Sequence, residues 1–174
     1  MPSFRLMGDS TELYLIRHGL AGEAGAAADE MLRPLTALGR KRTRAVAKRL
    51  HGLRVHFDLL LSSPLLRAQQ TAALFERAGL CEQLEESPLL APGGDFRQWL
   101  GWLAKWRRRA GHRRLGLVGH MPALGAWAET LIFGEATQSL VLKKAGVVGL
   151  SLPQEGSPVG RCSLFLFTAP RYLL

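Results

Sequence analysis

Leu13-Tyr14-Leu15-Ile16-Arg17-His18-Gly19 is the stretch that decides how this chain is read. Four consecutive apolar residues predict a short buried strand. A strand that ends on Arg-His-Gly puts a cation and an imidazole at the rim of a sheet. In open α/β sheets that rim is where ligands bind. Two more segments repeat the pattern: Ser62-Ser63-Pro64-Leu65-Leu66-Arg67-Ala68-Gln69-Gln70-Thr71, after an apolar run, and Val118-Gly119-His120-Met121-Pro122. Together they supply two arginines and two histidines, each near the end of a predicted strand. Such a set suits binding a phosphoryl group and taking it onto a histidine.

Working outward, 174 residues with 47% hydrophobic and 21% charged side chains describe a globular chain able to bury a core, not a disordered one. Residues 1–11 are expected to be a mobile leader and residues 12–174 a single domain. No apolar run is long enough to span a membrane. The first residues lack the apolar core of a signal peptide, so a cytoplasmic location is expected. Cys81 and Cys162 stand far apart without a CxxC partner and read as packing residues. A formal charge of +9 favours anionic partners. The densest basic stretch, Lys105 to Arg109 and on through His112-Arg113-Arg114, reads as the solvated end of an amphipathic helix. Nucleic acid is not the expected partner, because neither a groove-reading motif nor interleaved aromatics accompany the charge. A monomer is expected, since no apolar stripe in the sequence demands a partner.

The elements alternate. Strands are predicted at residues 12–17, 58–62, 83–86 and 114–119, and two late ones at 146–152 and 161–168 form a hairpin. Thr36 caps a helix running to Leu50. Ser63-Pro64 opens a helix with proline in its first turn, stopped at Gly79. Asp95 caps a helix over residues 96–109, and Met121-Pro122 opens one that ends by Gly134. This order predicts an α/β fold, a three-layer α/β/α sandwich with a mainly parallel central sheet.

A neutral imidazole is a good nucleophile for phosphorus and can split phosphoryl transfer to water into two easier steps. Arginine forks bind phosphate oxygens and hold the charge that spreads over them. Arg17 and Arg67 are the candidate forks and His18 the candidate nucleophile. His120, if protonated, adds another donor, and the helix after Ser63 turns its positive end to the same rim. Each residue alone has a duller reading: a turn, a surface arginine, a capping histidine. Their coincidence at three strand ends of one sheet is what carries the argument. His51, His56 and His112 lack matching partners and read as surface residues.

The three quoted segments resemble the histidine phosphatase superfamily, also called phosphoglycerate mutase-like. The short chain, with Asp29-Glu30-Met31-Leu32-Arg33-Pro34-Leu35-Thr36 and Leu90-Ala91-Pro92-Gly93-Gly94-Asp95, is similar to its bacterial phosphohistidine phosphatases of the SixA type. The resemblance implies that His18 is transiently phosphorylated and that Arg17, Arg67 and His120 complete the phosphate pocket. It implies Arg33 and Ser62 as further phosphate or substrate contacts, and neither metal nor cofactor.

The chain also departs from that pattern. The acid-phosphatase branch places a carboxylic acid directly after the second histidine, where this chain has Met121. The mutase branch has a central Glu; Glu85 and Glu86 lie in that region, but without the surrounding mutase pattern. An alkoxide leaving group needs such an acid, whereas a departing imidazole needs it less. The expected substrate is therefore phosphohistidine on a signalling or phosphotransfer protein, reached through a shallow, open site. A small phosphate ester is the alternative substrate, with a loop carboxylate such as Glu23 or Asp29 as the acid. A non-catalytic phospho-ligand binding module is the alternative from another class.

Overall fold

The computed structural model describes residues 10–25, 29–109 and 113–174. The chain runs through β1 (Glu12–Arg17), α1 (Ala37–Gly52), β2 (Leu59–Ser62), α2 (Leu66–Arg77), β3 (Leu84–Glu86), α3 (Phe96–Arg107), β4 (Arg114–Gly119), α4 (Ala123–Phe133), β5 (Val147–Ser151) and β6 (Ser163–Thr168). These strands form one six-stranded sheet in the order β3-β2-β4-β1-β5-β6. The first four are mutually parallel; β5 runs antiparallel to β1, and β6 returns antiparallel to β5 to complete the hairpin.

Alternation along each strand splits the core in two. Leu13 and Leu15 of β1, Leu59 and Leu61 of β2, and Leu115 and Leu117 of β4 face one way, onto Trp99, Leu103 and Trp106 of α3 and Trp127 and Leu131 of α4. Tyr14, Ile16, Leu60 and Val118 face the other way, onto Val46 and Leu50 of α1 and Ala68, Ala72 and Phe75 of α2. Helices therefore cover both faces, as a parallel sheet requires. Aromatic packing thickens the α3–α4 layer: the Trp99 and Trp127 rings lie 5.1 Å apart.

The helix signals mostly act as read. Thr36 Oγ1 accepts the Gly39 N–H at 2.9 Å, Asp95 Oδ1 accepts those of Arg97 and Gln98, and Gly79 stops α2 with φ +79°. One start differs. Proline does not open α2; the helix begins at Leu66, and Ser63 Oγ instead accepts the Leu65 N–H at 3.3 Å in the turn before it. That delay places Arg67 in the first helical turn.

Three other expectations change. Thr11 is already buried, and its carbonyl accepts the Leu152 N–H, so the folded body begins before Glu12; residues 1–9 of the expected leader lie outside the described residues. The basic stretch is not wholly solvated, because Arg107 Nη2 donates to the carbonyls of Pro153 and Gln154 and ties α3 to the hairpin turn; His112 lies outside the described residues. The premise for a monomer also fails: Leu164, Phe165 and Phe167 of edge strand β6 are 41–50% exposed.

Candidate active site

Two central strands, β1 and β4, end side by side, and β2 ends next to β4. The His18 N–H donates to the Gly119 carbonyl at 3.0 Å and the Ser63 N–H to that of Val118 at 2.9 Å. These bonds carry the ladder one residue past the strands and bring His18, Ser63 and His120 together. The imidazole centroids of His18 and His120 are 5.1 Å apart. Arg17, His18, Arg33, Arg67 and His120 line one cleft of about 450 Å³, as do Glu23, Met121 and Lys144. Four residues anticipated at the rim, and Arg33 with them, are thus gathered at one place.

His18 Nδ1 donates to the Gly19 carbonyl at 2.7 Å, which fixes the tautomer with Nε2 unprotonated. Burial pushes the His18 pKa down to about 3; the Gly19 hydrogen bond works the other way, and His120, Arg67 and Arg17 depress it further. The imidazole is therefore neutral at physiological pH. Gly19 is itself held, its N–H donating to Thr71 Oγ1 at 3.0 Å. A side chain there would meet Thr43 Oγ1 at 2.2 Å, so only glycine lets α1 pack this closely behind His18.

His120 Nε2 and Ser63 Oγ are hydrogen-bonded at 2.8 Å. Burial lowers the His120 pKa to about 4, with Arg67, Arg17 and Arg33 adding to the effect. The condition set on His120, that it be protonated, is not met in the free protein: burial and three nearby guanidiniums keep it neutral. A dianion between them reverses part of that field.

The arginines are held by the backbone. Arg17 Nη1 donates to the Leu142 carbonyl at 2.7 Å. Arg67 Nη1 donates to the Glu30 carbonyl at 2.9 Å. Arg33 Nε donates to Glu30 Oε2 at 2.9 Å and its Nη1 to the Gly22 carbonyl at 2.6 Å. Arg33 thus fastens the loop and lines the cleft at once. The Nε atoms of Arg17 and Arg67 and Nδ1 of His120 are buried, with no hydrogen-bond partner among the described residues. Donors of this kind match an anion with several acceptor oxygens. Positive charge is dense enough that Lys144, already lowered by burial, is lowered further by Arg17, Arg33 and Arg67.

Ser62 does not reach the cleft. Its hydroxyl donates to the Ser63 carbonyl at 2.9 Å, and the contact with His120 belongs to its neighbour. Successive side chains of a strand point to opposite faces, so a one-residue error moves the hydroxyl away. Glu85 and Glu86 sit on edge strand β3, where Glu86 accepts from Gln69 Nε2 at 2.6 Å, away from the cleft. Asp29 caps the short turn at Glu30–Leu32, accepting the Met31 N–H. Of the carboxylates weighed from the sequence, only Glu23 lines the cleft. Ser63, Glu30 and Thr71 lie within quoted segments but were given no role there, and Lys144 carries no sequence signal.

A parallel sheet with a cationic, two-histidine cleft at its carboxyl rim defines a class, and comparison with known proteins agrees with it. The histidine phosphatase superfamily (branch 1) matches residues 13–92. An uncharacterized protein of Picosynechococcus sp. is 43% identical over 94% of this chain and 99% of its own length. Phosphohistidine phosphatase SixA of Escherichia coli K12 is 30% identical over 84% of this chain and 88% of its own. The structure of the protein histidine phosphatase SixA complexed with tungstate superposes with a TM-score of 0.81 at 27% identity, covering 94% of this chain and all of that one. The chain belongs to the histidine phosphatase superfamily.

Proposed function

We propose that this protein is a phosphatase that removes the phosphoryl group from phosphohistidine on another protein, through a covalent intermediate on His18. The observation that carries the reading is the His18 imidazole, neutral and aimed by its 2.7 Å bond to the Gly19 carbonyl, set among Arg17, Arg33 and Arg67. In the first step His18 Nε2 forms a bond to phosphorus as the substrate's N–P bond breaks. The departing imidazole nitrogen keeps the electron pair and takes up a proton. In the second step water forms an O–P bond, the Nε2–P bond breaks, and inorganic phosphate leaves. Arg17 and Arg67 hold the equatorial oxygens throughout, and the first turn of α2 adds its positive end. His120, kept in place by Ser63, donates to an oxygen once the bound anion has raised its proton affinity.

The substrate class rests on leaving-group chemistry. Met121 occupies the position after the second histidine, and the departing imidazole needs no strong acid. The names of the relatives support the same class for this chain. One observation favours a second reading. Glu23 lines the cleft and is a carboxylic acid that a phosphate ester's alkoxide could use.

Metal-free phosphate release from a phosphohistidine-bearing protein and from a panel of small phosphate esters tests both. The expected result is preference for the phosphohistidine protein, with His18→Ala slower by about a thousandfold or more. A dominant ester that loses its rate in Glu23→Gln would establish the second reading instead. Undiminished rate in His18→Ala would overturn both.

A further inference from the structure

A second cavity, of about 580 Å³, opens beside the cleft and shares Arg17, Leu20 and Lys144 with it. Three more cations line it: Arg42 from α1, Lys143, and Arg171 from the C-terminal segment. Apolar residues complete its lining: Ala145, Ala169, Pro170 and Leu174. Among the described residues Arg42, Lys143 and Lys144 have neither an ion pair nor a hydrogen bond through their side chains. Arg171 has only its neighbour, donating to the Tyr172 hydroxyl at 2.7 Å. The wall is rigidly joined to the reacting end of β1, because the Ala145 N–H donates to both the Arg17 and His18 carbonyls, at 3.0 and 3.1 Å.

A phosphoryl group engages the cations of the cleft and leaves these outer ones unused. Uncompensated charge beside an apolar lining is matched by a polypeptide that mixes acidic and apolar side chains. It is matched poorly by an inorganic anion, which gains nothing from the apolar lining. We infer that this groove docks an acidic, apolar-containing segment of the phosphoprotein whose phosphohistidine enters the cleft. The inference rests on the function proposed above. Docking there would give affinity and orientation for a protein substrate without covering the reacting group.

The test uses two labelled peptides of equal length and apolar content, one with Glu and one with Lys at its polar positions, without phosphohistidine. Binding is followed by fluorescence anisotropy for the wild type, His18→Ala, and the triple variant Arg42→Glu/Lys143→Glu/Arg171→Glu. The wild type and His18→Ala should bind the Glu peptide alike and the Lys peptide poorly. The triple variant should lose about tenfold or more in affinity for the Glu peptide. Its kcat/KM on a Glu-flanked phosphohistidine peptide should fall by a similar factor, mainly through KM, with free phosphohistidine hydrolysed at the wild-type rate.

Equal binding of the two peptides, or full affinity in the triple variant, would overturn the docking groove. So would anionic vesicles or an oligonucleotide binding these residues more tightly than the Glu peptide. If the wild type hydrolyses free phosphohistidine but ignores peptide charge, the groove fails alone. If it binds the Glu peptide but hydrolyses no phosphohistidine, the proposed function fails and the docking role falls with it.

Discussion

Thr71 Oγ1 accepts the Gly19 N–H at 3.0 Å while donating its own hydrogen to the Arg67 carbonyl at 2.7 Å. One fully buried hydroxyl thus links the residue that aims His18 to the first turn of α2, which carries Arg67. Thr71→Val keeps the shape and removes the link. The buried Gly19 N–H is then unpaired, at a cost of about 1–3 kcal/mol. Urea denaturation should show that loss, and phosphate release should slow in a protein that still folds. An unchanged kcat would mean that Thr71 serves packing alone.

Gly39→Ala probes the fit of α1 against the loop after Gly19. A Cβ there would stand 1.9 Å from the Leu20 carbonyl oxygen, a backbone atom that cannot swing aside. Overpacking of this kind costs about 1–3 kcal/mol or more. The melting temperature should fall, and Gly52→Ala in the same helix, where a Cβ meets nothing, should not lower it. Equal melting of both variants would refute the contact.

Ser63→Ala tests how His120 is held. The substitution leaves buried His120 Nε2 without its partner at 2.8 Å. Activity should drop by about tenfold while circular dichroism stays unchanged. Ser62→Ala, which removes only a bond to the Ser63 carbonyl, should cost less. The reverse ranking would restore Ser62 as the residue that matters.

The pair His18 and His120 sets an acid limit on stability. Their folded pKa values, about 3 and about 4, lie below the ordinary 6.5. Between those values the unfolded chain binds more protons than the folded one, so stability falls as pH drops from 6.5 toward 4. Urea midpoints measured across that range should decline less steeply in His18→Gln/His120→Gln. The same depression should keep the acid limb of kcat/KM below 6.5. A limb above 6.5 would contradict the buried, cation-flanked setting of His18.

Glu129 adds a second acid-sensitive contact, away from the cleft. Burial disfavours its charge, but the N–H groups of Leu140, Gln138, Thr137 and Ser139 all donate to it and hold its pKa below the ordinary 4.5. Its contribution is present above 4.5 and is lost as pH falls through the folded value. The loop it gathers runs on to Leu142, whose carbonyl accepts from Arg17. Glu129→Gln should therefore lower the melting temperature by several degrees at neutral pH and weaken phosphate inhibition. Wild-type melting in that variant would show that the loop holds Arg17 without the carboxylate.

Much of this was legible because the information is local. Apolar runs predict β1, β2 and β4, and the side chains of Thr36 and Asp95 cap the helices that follow them. Arg17, His18, Arg67 and His120 stand out because each lies at or just beyond a strand end, and a parallel sheet puts all its carboxyl ends on one rim. The start of α2 was not legible, since Ser63-Pro64 suits both a first helical turn and the bend that precedes one.

By itself, then, the sequence determined the elements, the α/β class and the residue types that meet at the rim, because strand period, caps and motif spacing act over a few residues. Only the tertiary structure decided that Ser63 and not Ser62 holds His120 from 57 residues away, and that Glu30 joins Arg33 to Arg67. It also decided that Arg42, Lys143 and Arg171 share one groove beside His18. These depend on strand order, on which side of the pleat a side chain faces, and on loops folding back over the sheet. Such relations arise when distant segments pack and leave no periodic trace in the chain.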